Sequence, residues 1–177
     1  MEKKSLVVRK AVEGDIPEIL EITREAFKMY AIGAGIAGKL EALEENFEDV
    51  KRDIDTKEVF VALLDNIVVG SVRIEILSNN TAYLSRFGVG AENQSKGIGR
   101  ELMIAVDKVM IDLGIANLYL HTASRMLSLV RFYYGKGFYI ESTTSDRGYI
   151  RALLCKEYFT SKAEYPIEAV CEGCAAI

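Results

Sequence analysis

The chain is predicted to fold as a mixed α/β domain, antiparallel in its first half and β-α-β-α-β in its second. Apolar residues recur at helical spacing over residues 16–30, switch to a period of two between 59 and 89, and then alternate between the two periods. A glycine-bearing loop joins the last alternating run to an amphipathic helix, which places a crossover there. Half of the 177 residues are apolar, enough for one good core but thin for two. One domain over residues 1–158 is therefore expected. The extension at 159–177 has no clear pattern and suits a terminal tail, a lid or an oligomer contact equally.

Residues 6–9 read as a short first strand. Gly14 and Asp15 introduce a helix that tolerates Pro17 in its first turn, with Ile16, Ile19, Leu20, Thr23, Phe27 and Tyr30 at helical spacing. A second helix is expected over 39–53, with Leu40, Leu43, Phe47 and Val50 on one side. Strands follow at 59–64, 67–77 and 81–89, joined by Asp65-Asn66 and Ser78-Asn79-Asn80, both hairpin-type turn signals. Ile98, Leu102, Ala105, Val109 and Leu113 mark an amphipathic helix that stops at Gly114. A strand at 117–121, a helix at 126–134 and strands at 138–142 and 149–155 complete the order, which implies a sheet with helices on its faces.

The net charge of -4 and the lack of a long basic block argue against nucleic-acid binding, so any polyanion must be gripped locally. With no secretory segment and no run of about eighteen apolar residues, a soluble cytoplasmic protein without a membrane partner is expected. Cys155, Cys171 and Cys174 are odd in number and cannot all pair within the chain. His121 is the only histidine, so Cys171-Glu172-Gly173-Cys174 reads as free thiols and no metal site is expected.

Chemistry concentrates in Gln94-Ser95-Lys96-Gly97-Ile98-Gly99-Arg100, set between a strand and a helix. Its glycines let the backbone approach a ligand, and the free amides of the first helical turn, at the positive end of the helix dipole, suit a phosphate. The spacing is not that of a nucleoside-triphosphate loop, because Lys96 is followed by Gly97 rather than Ser or Thr. Gly33-Ala34-Gly35-Ile36-Ala37-Gly38 satisfies G-x-G-x-x-G literally, with Asp53 and Asp55 downstream. A dinucleotide site needs a strand feeding that turn, and the preceding segment has helical period. A flexible link between two helices is the expectation.

The loop resembles the Q/R-x-x-G-x-G/A loop of the GNAT superfamily of acyl-CoA N-acyltransferases. A later block, Leu120-His121-Thr122-Ala123-Ser124-Arg125-Met126 followed by Phe132-Tyr133-Tyr134-Gly135-Lys136-Gly137-Phe138, is similar to a second segment of that family. The resemblance spans residues 6–158 and implies acetyl-CoA as acyl donor, with an amine acceptor. By that resemblance, Leu84-Ser85-Arg86-Phe87-Gly88-Val89 is a strand splayed from its neighbour, and Phe87, Gly88 and Val89 would meet the pantetheine arm. Gln94, Ser95, Lys96, Gly97, Ile98, Gly99 and Arg100 would hold the pyrophosphate. Met126 stands where many members have a cofactor-contacting asparagine.

The resemblance implies direct attack of a neutral amine on the thioester, through a tetrahedral intermediate, with Tyr133 donating to the leaving sulfur. The base is less evident. Some members use a glutamate on the fourth strand, where this chain has Tyr83, and Ser85 is no base by itself. Glu75 on the preceding strand is the nearest alternative carboxylate; a water relay, or loss of the proton from an amine already near neutrality, is the other option. His121 reads as hydrogen-bonded structure, and the acidic balance hints at a cationic acceptor. The expected activity is acetylation of a primary amine of a small molecule, polyamine, amino acid or protein. A catalytically silent acyl-CoA sensor is the rival class, a nucleotide-binding protein ranks third, and a homodimer is compatible with the chain.

Overall fold

A computed structural model of the protein describes residues 5–158. Strands β1 Leu6–Lys10, β2 Glu58–Leu64, β3 Ile67–Ile76, β4 Thr81–Val89, β5 Asn117–Ala123, β6 Tyr139–Thr144 and β7 Arg151–Glu157 form a seven-stranded sheet in the order β1-β2-β3-β4-β5-β7-β6. Neighbours are antiparallel except β4 and β5, which run parallel and need the crossover helix α4 Ile98–Asp112 between them. The other helices are α1 Ile16–Ala34, α2 Glu41–Glu44, α3 Phe47–Thr56 and α5 Leu127–Tyr134.

β2 is apolar almost throughout because both faces of the sheet are covered. Val59 and Val61 pack with Ile16 and Ile19 of α1 and Val50 of α3 on one face. Phe60 and Ala62 point the other way, into the larger core, where Leu102, Met103, Val106 and Met110 of α4 are fully buried. Both hairpin signals are realised: Asp65 and Asn66 (φ 52° and 67°) turn β2 into β3, and Asn79 and Asn80 (φ 61° and 56°) turn β3 into β4.

Two helical expectations are corrected. α1 continues past Tyr30 through Gly33 and Ala34 and ends at Gly35 in the left-handed conformation (φ 66°), so the first part of the G-x-G-x-x-G stretch is helix rather than a flexible link. The helix expected over 39–53 is broken into α2 and α3. Asn46 caps α3, its side chain accepting the Glu48 and Asp49 amides while the Asp49 carboxylate accepts the Asn46 amide. The extended Glu45 between them turns into the sheet to meet Arg73 and Arg86. Residues 159–177, with Cys171 and Cys174, lie outside the described residues. Cys155 is a buried free thiol on β7.

Candidate active site

β4 and β5 pair only at Thr81–Asn117, Ala82–Leu118 and Tyr83–Tyr119, although β4 runs on to Val89 and β5 to Ala123. Beyond Tyr83 the strands part, leaving one backbone edge of β4 without a strand partner. A cavity of about 900 Å³ fills the opening. Of the residues expected at the cofactor, Phe87, Gly88 and Val89 of β4, Gln94, Ser95 and Gly97 of the loop, Ile98, Gly99 and Arg100 of α4, and Met126 before α5 all line it. Lys96 does not; its ammonium donates to Asn93 Oδ1 at 2.9 Å.

A bulge sharpens the parting. Ser71 pairs with Gly88 and Arg73 with Ser85, so Arg86 and Phe87 together oppose Val72. Arg86 takes the left-handed conformation (φ 51°), a strain of about 1–3 kcal/mol for a non-glycine residue. Its Nε donates to Glu45 Oε1 at 2.6 Å and its guanidinium lies over the Phe27 ring, contacts that hold it there. Phe87 meanwhile stacks on Phe132 of α5.

The loop after β4 enters α4 through Ser95 and Gly97, both at positive φ (62° and 82°). The first helical bond runs from the Glu101 amide to the Gly97 carbonyl, and no side chain caps the helix, so the Ile98, Gly99 and Arg100 amides precede the helical ladder. A β-carbon at Gly99 would lie 3.2 Å from the Phe87 ring and 3.5 Å from that of Phe132, so a glycine lets the helix start close against the aromatic pair. Tyr133 reaches the same cavity from α5, packed between Phe87, Phe132 and Phe138. Burial raises its phenol well above the ordinary range, so the hydroxyl stays protonated at all working pH values.

The opposite wall is built from distant segments. Tyr83 Oη lies 2.9 Å from His121 Nδ1, and both side chains line the cavity. Burial first, then the charge of Arg151, with Asp146 opposing and Arg147 adding, lower the His121 imidazole below its ordinary value, which favours its neutral form at pH 7. Tyr30 of α1 accepts the Ala123 amide at 2.6 Å, tying the end of β5 to the first helix. Arg86, Arg147 and Arg151 complete this wall, with Glu41.

Glu75 does not reach the cavity. Its half-exposed carboxylate pairs with Lys57 Nζ at 3.5 Å at the far end of β3. The Tyr83–His121 pair is what the sequence reading missed. The signal was available, because a parallel β4–β5 pairing puts Tyr83 opposite Tyr119 and alternation returns His121 to the same face.

A strand edge freed by splaying, an uncapped helix N-terminus beside it and a buried tyrosine further along the cavity match the arrangement that an acyltransferase drawing on a pyrophosphate-bearing thioester requires. The model of the acetyltransferase (GNAT) family matches residues 16–138, and the chain belongs to that family. It is an acetyl-CoA-dependent N-acyltransferase. The chain is 26% identical over 148 residues to the spermidine N(1)-acetyltransferase of Thermoplasma acidophilum, covering 78% of this chain and 91% of that one. The crystal structure of the PaiA N-acetyltransferase of Thermoplasma acidophilum in complex with coenzyme A superposes with a TM-score of 0.74 at 25% identity, over 87% of this chain and 99% of that one. The ribosomal-protein-S18-alanine N-acetyltransferase of Escherichia coli shares the fold, with a TM-score of 0.70 at 14% identity over 91% of this chain and 100% of its own. No helix among the described residues is long and apolar enough to cross a membrane.

Proposed function

We propose that the chain acetylates the primary amine of a small acceptor that enters the cavity from the Tyr83–His121 wall and meets acetyl-CoA held on the glycine-loop wall. The observation that carries this reading is the parting of β4 and β5 beyond Tyr83, which joins an anion cradle and a polar side-chain wall in one cavity. The amine acceptor in the name of the Thermoplasma acidophilum relative, a spermidine N(1)-acetyltransferase, supports it. The residues present fit the donor: the Ile98, Gly99 and Arg100 amides suit its pyrophosphate, the free edge at Phe87 and Val89 suits its amide-bearing arm, and Met126 lies along its path. When bound, acetyl-CoA supplies an activated thioester.

The chain's own groups then have two proton tasks. Tyr133, held protonated by burial, is the donor for the departing sulfur. An alkyl amine is neutral in only about one part in a few thousand at pH 7, and it must lose a further proton as it is acylated. Tyr83 Oη takes that proton while passing its own to His121 Nδ1, which leaves an imidazolium and an intact phenol. The neutral imidazole makes His121 ready to receive it. This relay takes the place of Glu75. The reading places the chain in the cytoplasm and needs neither nucleic acid nor a membrane.

The test is incubation with acetyl-CoA and an amine panel, following free thiol and the mass of acetylated product. Matched release of both is expected. Thermal stabilisation by acetyl-CoA without thiol release above buffer for any amine would instead identify a sensor.

A further inference from the structure

Three guanidiniums reach the acceptor wall, each met by one carboxylate: Arg86 by Glu45, Arg147 by Glu41 and Arg151 by Asp146. Arg86, Arg147 and Arg151 line it, against the single carboxylate of Glu41. Glu45 is shared by Arg73 and Arg86, so Arg86 is committed to an internal pair. Glu41 is 72% exposed and already faces Arg147 at 3.3 Å. Arg151 is only 12% exposed, and although its Nη2 meets Asp146, its Nε is buried without a partner among the described residues. Arg147 and Arg151 are thus engaged only by the exposed carboxylates of Glu41 and Asp146, which an anion of better geometry can replace.

We propose that the acceptor is a small amine that also bears a carboxylate, held by Arg147 and Arg151 while its amine meets Tyr83. Arg151 pairs with Ala123 across β5 and β7, so alternation puts it on the sheet face of His121, one step along from the relay. His121 is lowered first by burial and then by these two cations against the opposing charge of Asp146, and the cations favour the neutral form of an amine beside it. A polyamine must instead place its further ammonium groups beside these guanidiniums, with Glu41 the one carboxylate among the described lining residues to offset them. The acidic composition of the chain, which hinted at a cationic acceptor, is not reproduced in the cavity lining, where Glu41 is the one carboxylate among the described residues.

This inference rests on the acetyl-transfer reading, and matched substrates separate the two. Cadaverine and lysine differ by one carboxylate, as do putrescine and ornithine, and spermidine supplies the polyamine arm. In the native protein kcat/KM is expected to be at least about tenfold higher for the carboxylated member of each pair. Arg147→Gln, at a half-exposed position, and Arg151→Gln should each reduce that ratio, and the double variant should bring it near one, with urea midpoints checking the fold. In the presence of CoA, lysine but not cadaverine should raise the melting temperature, and the double variant should lose that shift. Preference for spermidine or the diamines, or a ratio unmoved in the double variant, overturns the anionic-acceptor inference and leaves acetyl transfer standing. Absence of thiol release with every amine overturns acetyl transfer itself.

Discussion

The two walls of the cavity are built on different principles. The donor wall is backbone: a strand edge, a loop with two residues at positive φ and the first turn of α4, all within residues 84–100, with Met126 and Tyr133 added from one later segment. The acceptor wall is side chains from α1, α2, β4, β5 and the segment around β7. Backbone amides suit any pyrophosphate, so the donor wall is generic. Side chains differ in charge and reach, so selectivity resides opposite, and its supports lie deeper in the fold.

Those supports are where the largest effect is expected. Arg73 is fully buried on β3 and joins both sides of the α2–α3 break: Nη1 donates to Asp53 Oδ2 at 2.7 Å, and Nη2 to Glu45 Oε2 at 2.8 Å. Burial pushes the Asp53 carboxyl up, but Arg73 and Lys57 more than offset it and hold it below its ordinary value. Arg73→Met leaves Asp53 to Lys57 alone and Glu45 to Arg86 alone and should cost about 2–3 kcal/mol, read as a fall in the urea midpoint. Arg86, strained and held by Glu45, should lose its place with them. A change under about 1 kcal/mol would mean that the acceptor wall does not rest on this network.

On the donor side the largest loss should fall on turnover. Tyr133→Phe removes one oxygen from an aromatic cluster that keeps its packing, so kcat should fall about a hundredfold with the KM for acetyl-CoA nearly unchanged. An equal loss in KM would make Tyr133 a binding residue instead. On the acceptor side the effect is a change of shape in the pH profile. With the amine and His121 both needed unprotonated, log(kcat/KM) should climb with a slope near two below the His121 pKa, which lies under its ordinary 6.5, and a slope near one above it. His121→Gln should leave the single slope and lose about tenfold in the neutral range. Tyr83→Phe should do the same if the two act as one relay. A break that survives both substitutions would remove the relay from the mechanism.

Gly97→Val probes the generic wall. Its φ of 82° costs a side-chain-bearing residue about 1–2 kcal/mol, which the loop can relieve by leaving the cradle geometry, so the KM for acetyl-CoA should rise about tenfold with little change in the acceptor constants.

How much of each wall was legible follows from the same contrast. The donor wall is nearly contiguous, so glycine spacing and the strand-to-helix switch in the sequence single out Gln94, Gly97 and Gly99, which line the cavity. The acceptor wall has no local signature. Tyr83 and His121 meet only because β4 pairs in parallel with β5, and Arg147 and Arg151 look like ordinary surface charge until β7 is inserted between β5 and β6. The break between α2 and α3 was hidden for a similar reason. Leu40, Leu43, Phe47 and Val50 are compatible with one helix, and what interrupts it is the Asn46 cap together with a buried arginine distant in sequence.

The smallest expected effect lies where the walls touch. A β-carbon at Gly33 of α1 would sit 2.8 Å from Met126 Sδ and 3.0 Å from its Cε, so the first glycine of the stretch expected to be a flexible link is a packing glycine under the cavity. Both residues line it, one from each side. In Gly33→Ala the helix gains about 1 kcal/mol of intrinsic propensity. The obstacle is the end of a flexible thioether, which can swing away, though only into the cavity's own space. Stability should therefore change by less than about 1 kcal/mol, while the KM values for donor and acceptor each rise by about twofold, because Met126 intrudes on both. A shift confined to acetyl-CoA would assign Met126 to the donor wall alone. A large loss of stability would show that Met126 cannot move, making this contact a rigid floor between the two walls.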